Sequence, residues 1–358
     1  MKNILYIFVA SICISCTSAI ESTIETVPIA VNNNSTLAEF ISNGRTIQLE
    51  TNDECLISEM NKLCIDSDHF YIMDQMNKKI FIFDQQGKFI SKIDSHGNGP
   101  DEYIELTDIS VNNKTIYALS RPNKSIYVYS NNGKFNKKIN LNDWYQRLNV
   151  TNDCIMLYSC KSNQQLYDIV TFDHEGNIIK KNMPFAKNES FVFNIVPFNR
   201  ISDEEYLLCF PYERRVALFN KTDCEYKYKF DFKTEVNFTD KEMEELGYDK
   251  IRNNSLYKES LKQIDCITRL KDKYFFMIAT VFLNGKGLRK VLVKSDLSTQ
   301  LSQTYIVGDK IEQDFPLFDN PVLIKGDNMY CVTTNINISD DFEEHNPSIG
   351  IYQINRNR

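Results

Sequence analysis

One pattern constrains this chain more than any other: a run of alternating apolar residues, a polar turn ending in glycine, and a second strand. It appears as Ile80-Phe81-Ile82-Phe83-Asp84-Gln85-Gln86-Gly87-Lys88-Phe89 and returns as Ile126-Tyr127-Val128-Tyr129-Ser130-Asn131-Asn132-Gly133-Lys134-Phe135. A third copy is Ile169-Val170-Thr171-Phe172-Asp173-His174-Glu175-Gly176-Asn177-Ile178, so the copies begin 46 and 43 residues apart. Weaker echoes lie at 216–223, without the glycine, at 291–297 and at 349–354. Period-two alternation marks strands, and glycine allows the positive φ that tight hairpins demand. Each unit also carries two earlier strands, near 63–65 and 70–73 in the first and 109–111 and 116–119 in the second. Four strands repeated at this length predict an all-β chain, a β-propeller of six blades. The last unit runs out after its third strand. Thr46-Ile47-Gln48-Leu49 can supply the missing outer strand, closing the ring and removing its open edge. Aromatic usage agrees, with 23 Phe and 19 Tyr against one Trp.

One segment breaks the period. Thr239-Asp240-Lys241-Glu242 is a Thr-x-x-Glu capping box followed by polar helix formers. It predicts a short helical insertion over about 239–263, between blades four and five, interrupted at Gly247.

The amino terminus reads as an export signal. A basic start, Met1-Lys2-Asn3, precedes the apolar run 4–10, which is too short to span a bilayer. Small residues and Cys16 follow. Ser15-Cys16 resembles the end of a bacterial lipobox, although Cys13 stands where leucine is usual. The expected organisation is a signal peptide over 1–15, a lipidated tether over 16–44 beginning at Cys16, and the propeller over 45–357. The expected address is the cell envelope, at the outer membrane, with the side of that membrane left open.

Eight further cysteines remain, and export would permit pairing. Cys209 and Cys331 sit in apolar strand runs, however, which favours core thiols. No C-x-x-C motif follows Cys16, and the four histidines lack ligand spacing, so no metal or other cofactor is expected. A net charge of −7 argues against nucleic acid.

The segments Phe70-Tyr71-Ile72-Met73-Asp74, Asn77-Lys78-Lys79-Ile80-Phe81-Ile82-Phe83-Asp84 and Gly97-Asn98-Gly99-Pro100-Asp101-Glu102-Tyr103 resemble an NHL-type repeat. Over about 45–354 the chain is similar to the NHL-like and TolB-like six-bladed β-propeller lipoproteins of Bacteroidota, most strongly in blades one and two. That resemblance implies fold and address. It implies little about function, since propellers host binders and enzymes alike.

Antiparallel connectivity sorts the loops. Links between second and third strands, and between successive blades, share one face; the glycine turns lie on the other. The first face gathers Arg121, Trp144 with Tyr145, Arg147, Tyr212, Arg214 and Arg215, the helical insertion, and the Gly-Pro-Asp-Glu-Tyr loop with Asp101 and Tyr103. Loops on a rigid scaffold commonly carry binding. The arginines suit a carboxylate, a phosphate or an acidic sugar, or are solvated loop charges. Trp144 suits a stacked ring or simply covers a blade end. No G-x-S-x-G elbow and no paired catalytic constellation stands out, so no catalytic residue is assigned. The leading expectation is a non-catalytic envelope binder or scaffold presenting this face to a glycan, peptide or protein. The alternatives are a lactonase-type or glycan-lyase-type enzyme with a central-channel site, and a structural subunit of an envelope complex.

Overall fold

The computed structural model describes residues 24–32, 35–185, 197–210, 215–233, 262–271, 274–283, 285–307, 319–333 and 345–356. Its strands form six sheets around a ring, each with four antiparallel strands and one with a fifth, parallel strand at its edge. Blade one is Lys62–Ile65, His69–Asp74, Lys79–Asp84 and Phe89–Ile93, counted outward from the axis. Blade two is Asp108–Asn112, Thr115–Ser120, Ser125–Ser130 and Phe135–Asn140. Blade three runs Arg147–Val150, Ile155–Tyr158, Tyr167–Phe172 and Ile178–Pro184. Blade four is Phe198–Arg200, Glu205–Cys209, Arg215–Asn220 and Asp223–Lys233, and blade five is Lys262–Leu270, Tyr274–Leu283, Gly287–Asp296 and Ser302–Ile306. Blade six ends on Ser348–Ile354, and Ile41–Gln48 lies antiparallel against it with Ile47 opposite Ile349. The amino-terminal segment therefore closes the wheel as its sequence pattern requires, in a strand that begins earlier, at Ile41.

Each sheet buries both faces against its neighbours, so the core is divided into six clusters, one between each pair of adjacent blades. The conserved-length turns explain themselves here. Gly87, Gly133 and Gly176 have φ of 84°, 83° and 95°, and each also abuts the outer strand of the preceding blade. A Cβ on Gly87 would lie 2.3 Å from the Gln48 carbonyl oxygen, on Gly133 3.3 Å from that of Lys92, and on Gly176 2.8 Å from Ile139 Cγ2. The repeated glycine thus sets both a hairpin and the spacing between blades.

The innermost strands leave one row of backbone groups unpaired towards the axis, a cost that must be met locally. Side chains of neighbouring blades meet part of it. Leu148 N–H donates to Asp108 Oδ2 at 2.8 Å, Val150 N–H to Ser110 Oγ at 3.1 Å, and Ile267 N–H to Asn199 Oδ1 at 3.1 Å. Across the closing seam, Lys325 Nζ donates to the Ile65 carbonyl at 2.7 Å. Asp108 also holds Lys62 Nζ at 2.7 Å, with both side chains buried.

The tether expected over 16–44 needs correction. Glu25–Ala30 is a fifth strand on the edge of blade four, parallel to Asp223–Lys233. Val27 and Ile29 alternate inward and are fully buried in the cluster between blades four and five. Pro28 lacks a donor and is tolerated because this strand is an edge. The chain then crosses blade five, where Ala30 N–H bonds Ser302 Oγ and Asn32 N–H bonds Thr304 Oγ1. A 3-10 turn, Leu37–Glu39, leads into Ile41–Gln48. This strap laces blades four, five and six from outside. Of the helical insertion, 239–261 lies outside the described residues, while Lys262 and Gln263 already belong to the strand Lys262–Leu270.

The eight described cysteines are free thiols. Burial pushes Cys64 up to about 11 and Cys266 up to about 12, so they behave as apolar core groups.

Blade five contributes one pH-dependent element. Asp265 accepts hydrogen bonds from Thr280 Oγ1 at 2.6 Å and Gln263 Nε2 at 2.9 Å, yet desolvation raises its carboxyl above the usual 3.8. A carboxyl raised on folding binds protons more tightly in the native state. Its contribution is present below 3.8 and is lost as pH rises through the raised value. Asp265→Asn is therefore expected to melt above the parent at neutral pH, with the difference closing below that point; melting curves against pH check this, and a lower neutral-pH midpoint would refute it.

Candidate functional site

The loop face over blades two and three is where the anticipated residues meet. The turn 121–124 links the second and third strands of blade two and is bolted on three sides. Arg121 N–H donates to Thr107 Oγ1 at 3.0 Å, Lys124 N–H to the Arg121 carbonyl at 3.0 Å, and Leu141 N–H to the Lys124 carbonyl at 2.7 Å. Asn123 Oδ1 accepts from Ile104 N–H at 2.9 Å and Ser120 Oγ at 2.6 Å. Lys124 holds φ of 48°, a conformation that costs a non-glycine residue energy and persists only when its surroundings enforce it.

Trp144, half-buried, stands beside this turn in the link between blades two and three. Its Nε1–H donates to the Ser162 carbonyl at 2.7 Å. Arg121 Cζ lies 5.9 Å and Lys124 Nζ 5.3 Å from the centre of its ring, within range of the attraction between a cation and an indole face. The loop 159–166 that receives the indole N–H contains three non-glycine residues with positive φ: Cys160, Lys161 and Leu166. Two buried carboxylates hold this region in shape. Asp143 accepts from Trp144 N–H at 2.9 Å, Gln164 N–H at 2.8 Å and Gln165 N–H at 3.2 Å. Asp168 accepts from Ser159 Oγ at 3.1 Å and Lys161 N–H at 2.7 Å. These acids spend their charge on backbone amides and the Ser159 hydroxyl inside the loops, while Arg121 and Lys124 are half-buried.

The remaining anticipated residues divide. Arg147 opens the innermost strand of blade three, and its Nη1 donates to the Gln146 carbonyl at 2.8 Å. Asp101 is exposed at the tip of the link between blades one and two. Arg215 belongs to blade four and lies over Tyr226 at 4.1 Å, so it does not join the Trp144 group. Tyr212 and Arg214 lie outside the described residues. Tyr103 requires a correction: it is fully buried, donates its hydroxyl to the Lys78 carbonyl at 2.8 Å and meets Tyr127 edge-on at 5.9 Å. Its ring seals blades one and two and offers no ligand surface. Tyr145 is likewise fully buried, edge-on to Phe172. The Gly-Pro-Asp-Glu-Tyr loop is a structural turn. Gly99 N–H donates to Glu102 Oε2 at 2.8 Å, and a Cβ on Gly97 would sit 2.0 Å from that same oxygen.

Lys124, Asp143 and Asp168 escaped the sequence reading. The signal for Asp143 was its place directly before the single tryptophan. Among the described residues, the group whose donor atoms are close enough for a metal is Asp66, Asp68 and His69. Asp66 Oδ1 already accepts from Asp68 N–H and His69 N–H, Oδ2 from Tyr71 OH, and Asp68 pairs with Lys114. That cluster is a satisfied turn.

A family described as a domain of unknown function, DUF4934, matches residues 23–356. No curated protein matches the sequence. Among solved structures, a protein from Bacteroides fragilis described as exported is similar with a TM-score of 0.69 at 15% identity, covering 92% of this chain and 99% of that one. A DUF4221 family member from Bacteroides vulgatus gives 0.55 at 10% identity, covering 88% and 98%. Both likenesses concern the fold. Among the described residues no helix is long and apolar enough to cross a membrane.

Proposed function

The chain belongs to the DUF4934 family, and we propose that it is a lipid-anchored, non-catalytic binding propeller of the cell envelope that presents the loop face of blades two and three to a glycan, peptide or protein partner. The observation that carries this reading is the Trp144 group. Three separate loops, with strained backbone and inward-turned carboxylates, converge to hold one indole and two cations at half-exposed positions. Packing alone does not call for so much enforced geometry at a surface. The commitment of Asp108 to Lys62 and to the Leu148 amide supports binding over channel chemistry, because that inner-strand carboxylate is already engaged.

Lipidation at Cys16 fits the strap. Eight residues, 17–24, separate Cys16 from Glu25, which is fixed on the rim of blade four, so the reach from anchor to wheel is at most about 32 Å. The wheel then stands close to the bilayer with that rim nearest the anchor and blade one on the opposite side of the ring. Growth with an alkyne-bearing palmitate tests the anchor: the parent should take up label and Cys16→Ser should not, and equal labelling would overturn it. For the face itself, the purified protein is applied to a mixed array of neutral glycans, acidic glycans and peptides. Captured ligands should be lost with Trp144→Ala at unchanged circular dichroism; capture indifferent to that change would place the site elsewhere.

A further inference from the structure

The turn joining the second and third strands of blade one has a counterpart in blade two. Gln75-Met76-Asn77-Lys78 closes by a bond from Lys78 N–H to the Gln75 carbonyl at 3.2 Å. Arg121-Pro122-Asn123-Lys124 closes in the same way at 3.0 Å, and the two lysines have φ of 54° and 48°. Met76 meets this geometry in one blade and Pro122 in the other, so the turn itself does not call for methionine. Yet Met76 is 70% exposed at the tip. Two further large apolar side chains flank it. Leu56, 40% exposed, lies in the link 50–61, which Asn77 Nδ2 holds through Ser58 Oγ at 2.7 Å. Towards blade two, Ile104 is 45% exposed and follows Tyr103, whose hydroxyl reaches the Lys78 carbonyl at 2.8 Å.

The same links set a charge around these side chains. Link 50–61 carries four acids and link 94–107 four more, and neither contains a lysine or arginine. Lys92 answers Glu54 at 2.9 Å and Lys79 answers Asp94 at 3.2 Å. Lys78 and Lys138, the latter near the Pro100 carbonyl, raise the cations beside the eight acids to four. Arg121 and Lys124 lie over Trp144 instead. We infer that this acid-rimmed apolar crest over blade one docks a basic segment of a partner protein that presents large apolar side chains along one side. Exposed apolar groups gathered inside a polar rim mark such contacts, and methionine adapts its shape to what it meets. The acids attract a cationic segment and repel anionic lipid or an acidic glycan. A neutral glycan would call for an aromatic platform, and Leu56, Met76 and Ile104 provide none.

The crest uses residues other than those of the Trp144 group, so the two can be tested apart. Fluorescence anisotropy of labelled peptides is measured against the full mature protein. An amphipathic helical peptide of leucine and lysine should bind, and less tightly as salt rises. Its leucine–glutamate counterpart should not bind, and polylysine of equal charge should bind about tenfold more weakly. Met76→Ser with Leu56→Ser should weaken capture about tenfold at unchanged circular dichroism. Trp144→Ala should leave it unchanged, as should Ile178→Ser with Ile179→Ser, which removes two exposed apolar side chains from blade three. Absent binding, equally tight polylysine or leucine–glutamate peptide, or an equal loss in the blade-three control would each overturn the crest. Loss with Trp144→Ala but not with Met76→Ser and Leu56→Ser would also overturn it, while sustaining the binding reading at Trp144.

Discussion

Replacing Asp108 with alanine is expected to cost about 3–5 kcal/mol of stability, the largest single effect in the wheel. The carboxylate sits in the innermost strand of blade two, almost fully buried, between the ammonium of Lys62 in blade one and the amide of Leu148 in blade three. Its removal strands a positive charge at a buried position and orphans an amide in the same stroke. The pair as a whole is worth far less than its breakage suggests, because both ions were taken from water to make it. Lys62→Met with Asp108→Leu should accordingly recover most of the loss, leaving mainly the unmade bond to Leu148. Urea unfolding of the single and double variants measures this. A single variant within 1 kcal/mol of the parent would show that the inner strands are not joined through this residue.

Gly87→Ala is the second large effect, at about 3 kcal/mol. Positive φ strains any residue with a Cβ by about 1–2 kcal/mol. Here the added carbon would also strike the Gln48 carbonyl, part of the strand that closes the ring. The same substitution at Gly133 meets an oxygen only at 3.3 Å and should cost mostly the backbone term, with Gly176 between them. The graded order Gly87, Gly176, Gly133 separates steric spacing from turn conformation, since φ is similar at all three. Equal costs would mean that the glycines serve the hairpins alone.

The wheel was legible because its determinants are local. Alternation such as Ile80-Phe81-Ile82-Phe83, followed by a glycine turn, specifies strand, turn and strand within ten residues, and repetition then specifies the ring. The strap was not legible for the converse reason. Val27 and Ile29 alternate over only a few residues, among Thr, Asn and Glu, and their burial depends on Phe230 and Phe232, some two hundred residues away. Tyr103 misled because a tyrosine in a glycine-rich loop looks the same whether its ring faces solvent or seals two blades. At the site, Arg121 and Trp144 stood out as rare residues in loops, and the structure brings them within 5.9 Å. Lys124 could not be singled out among so many lysines, since what distinguishes it is its place over the Trp144 ring.

The most direct measurement is native-state hydrogen exchange along the closing strand. Amides at 46–48 should exchange as slowly as those at 348–350, their partners in blade six, and both should follow global unfolding. Fast exchange at 46–48 beside slow exchange at 348–350 would mean that the ring is not closed by its amino-terminal segment.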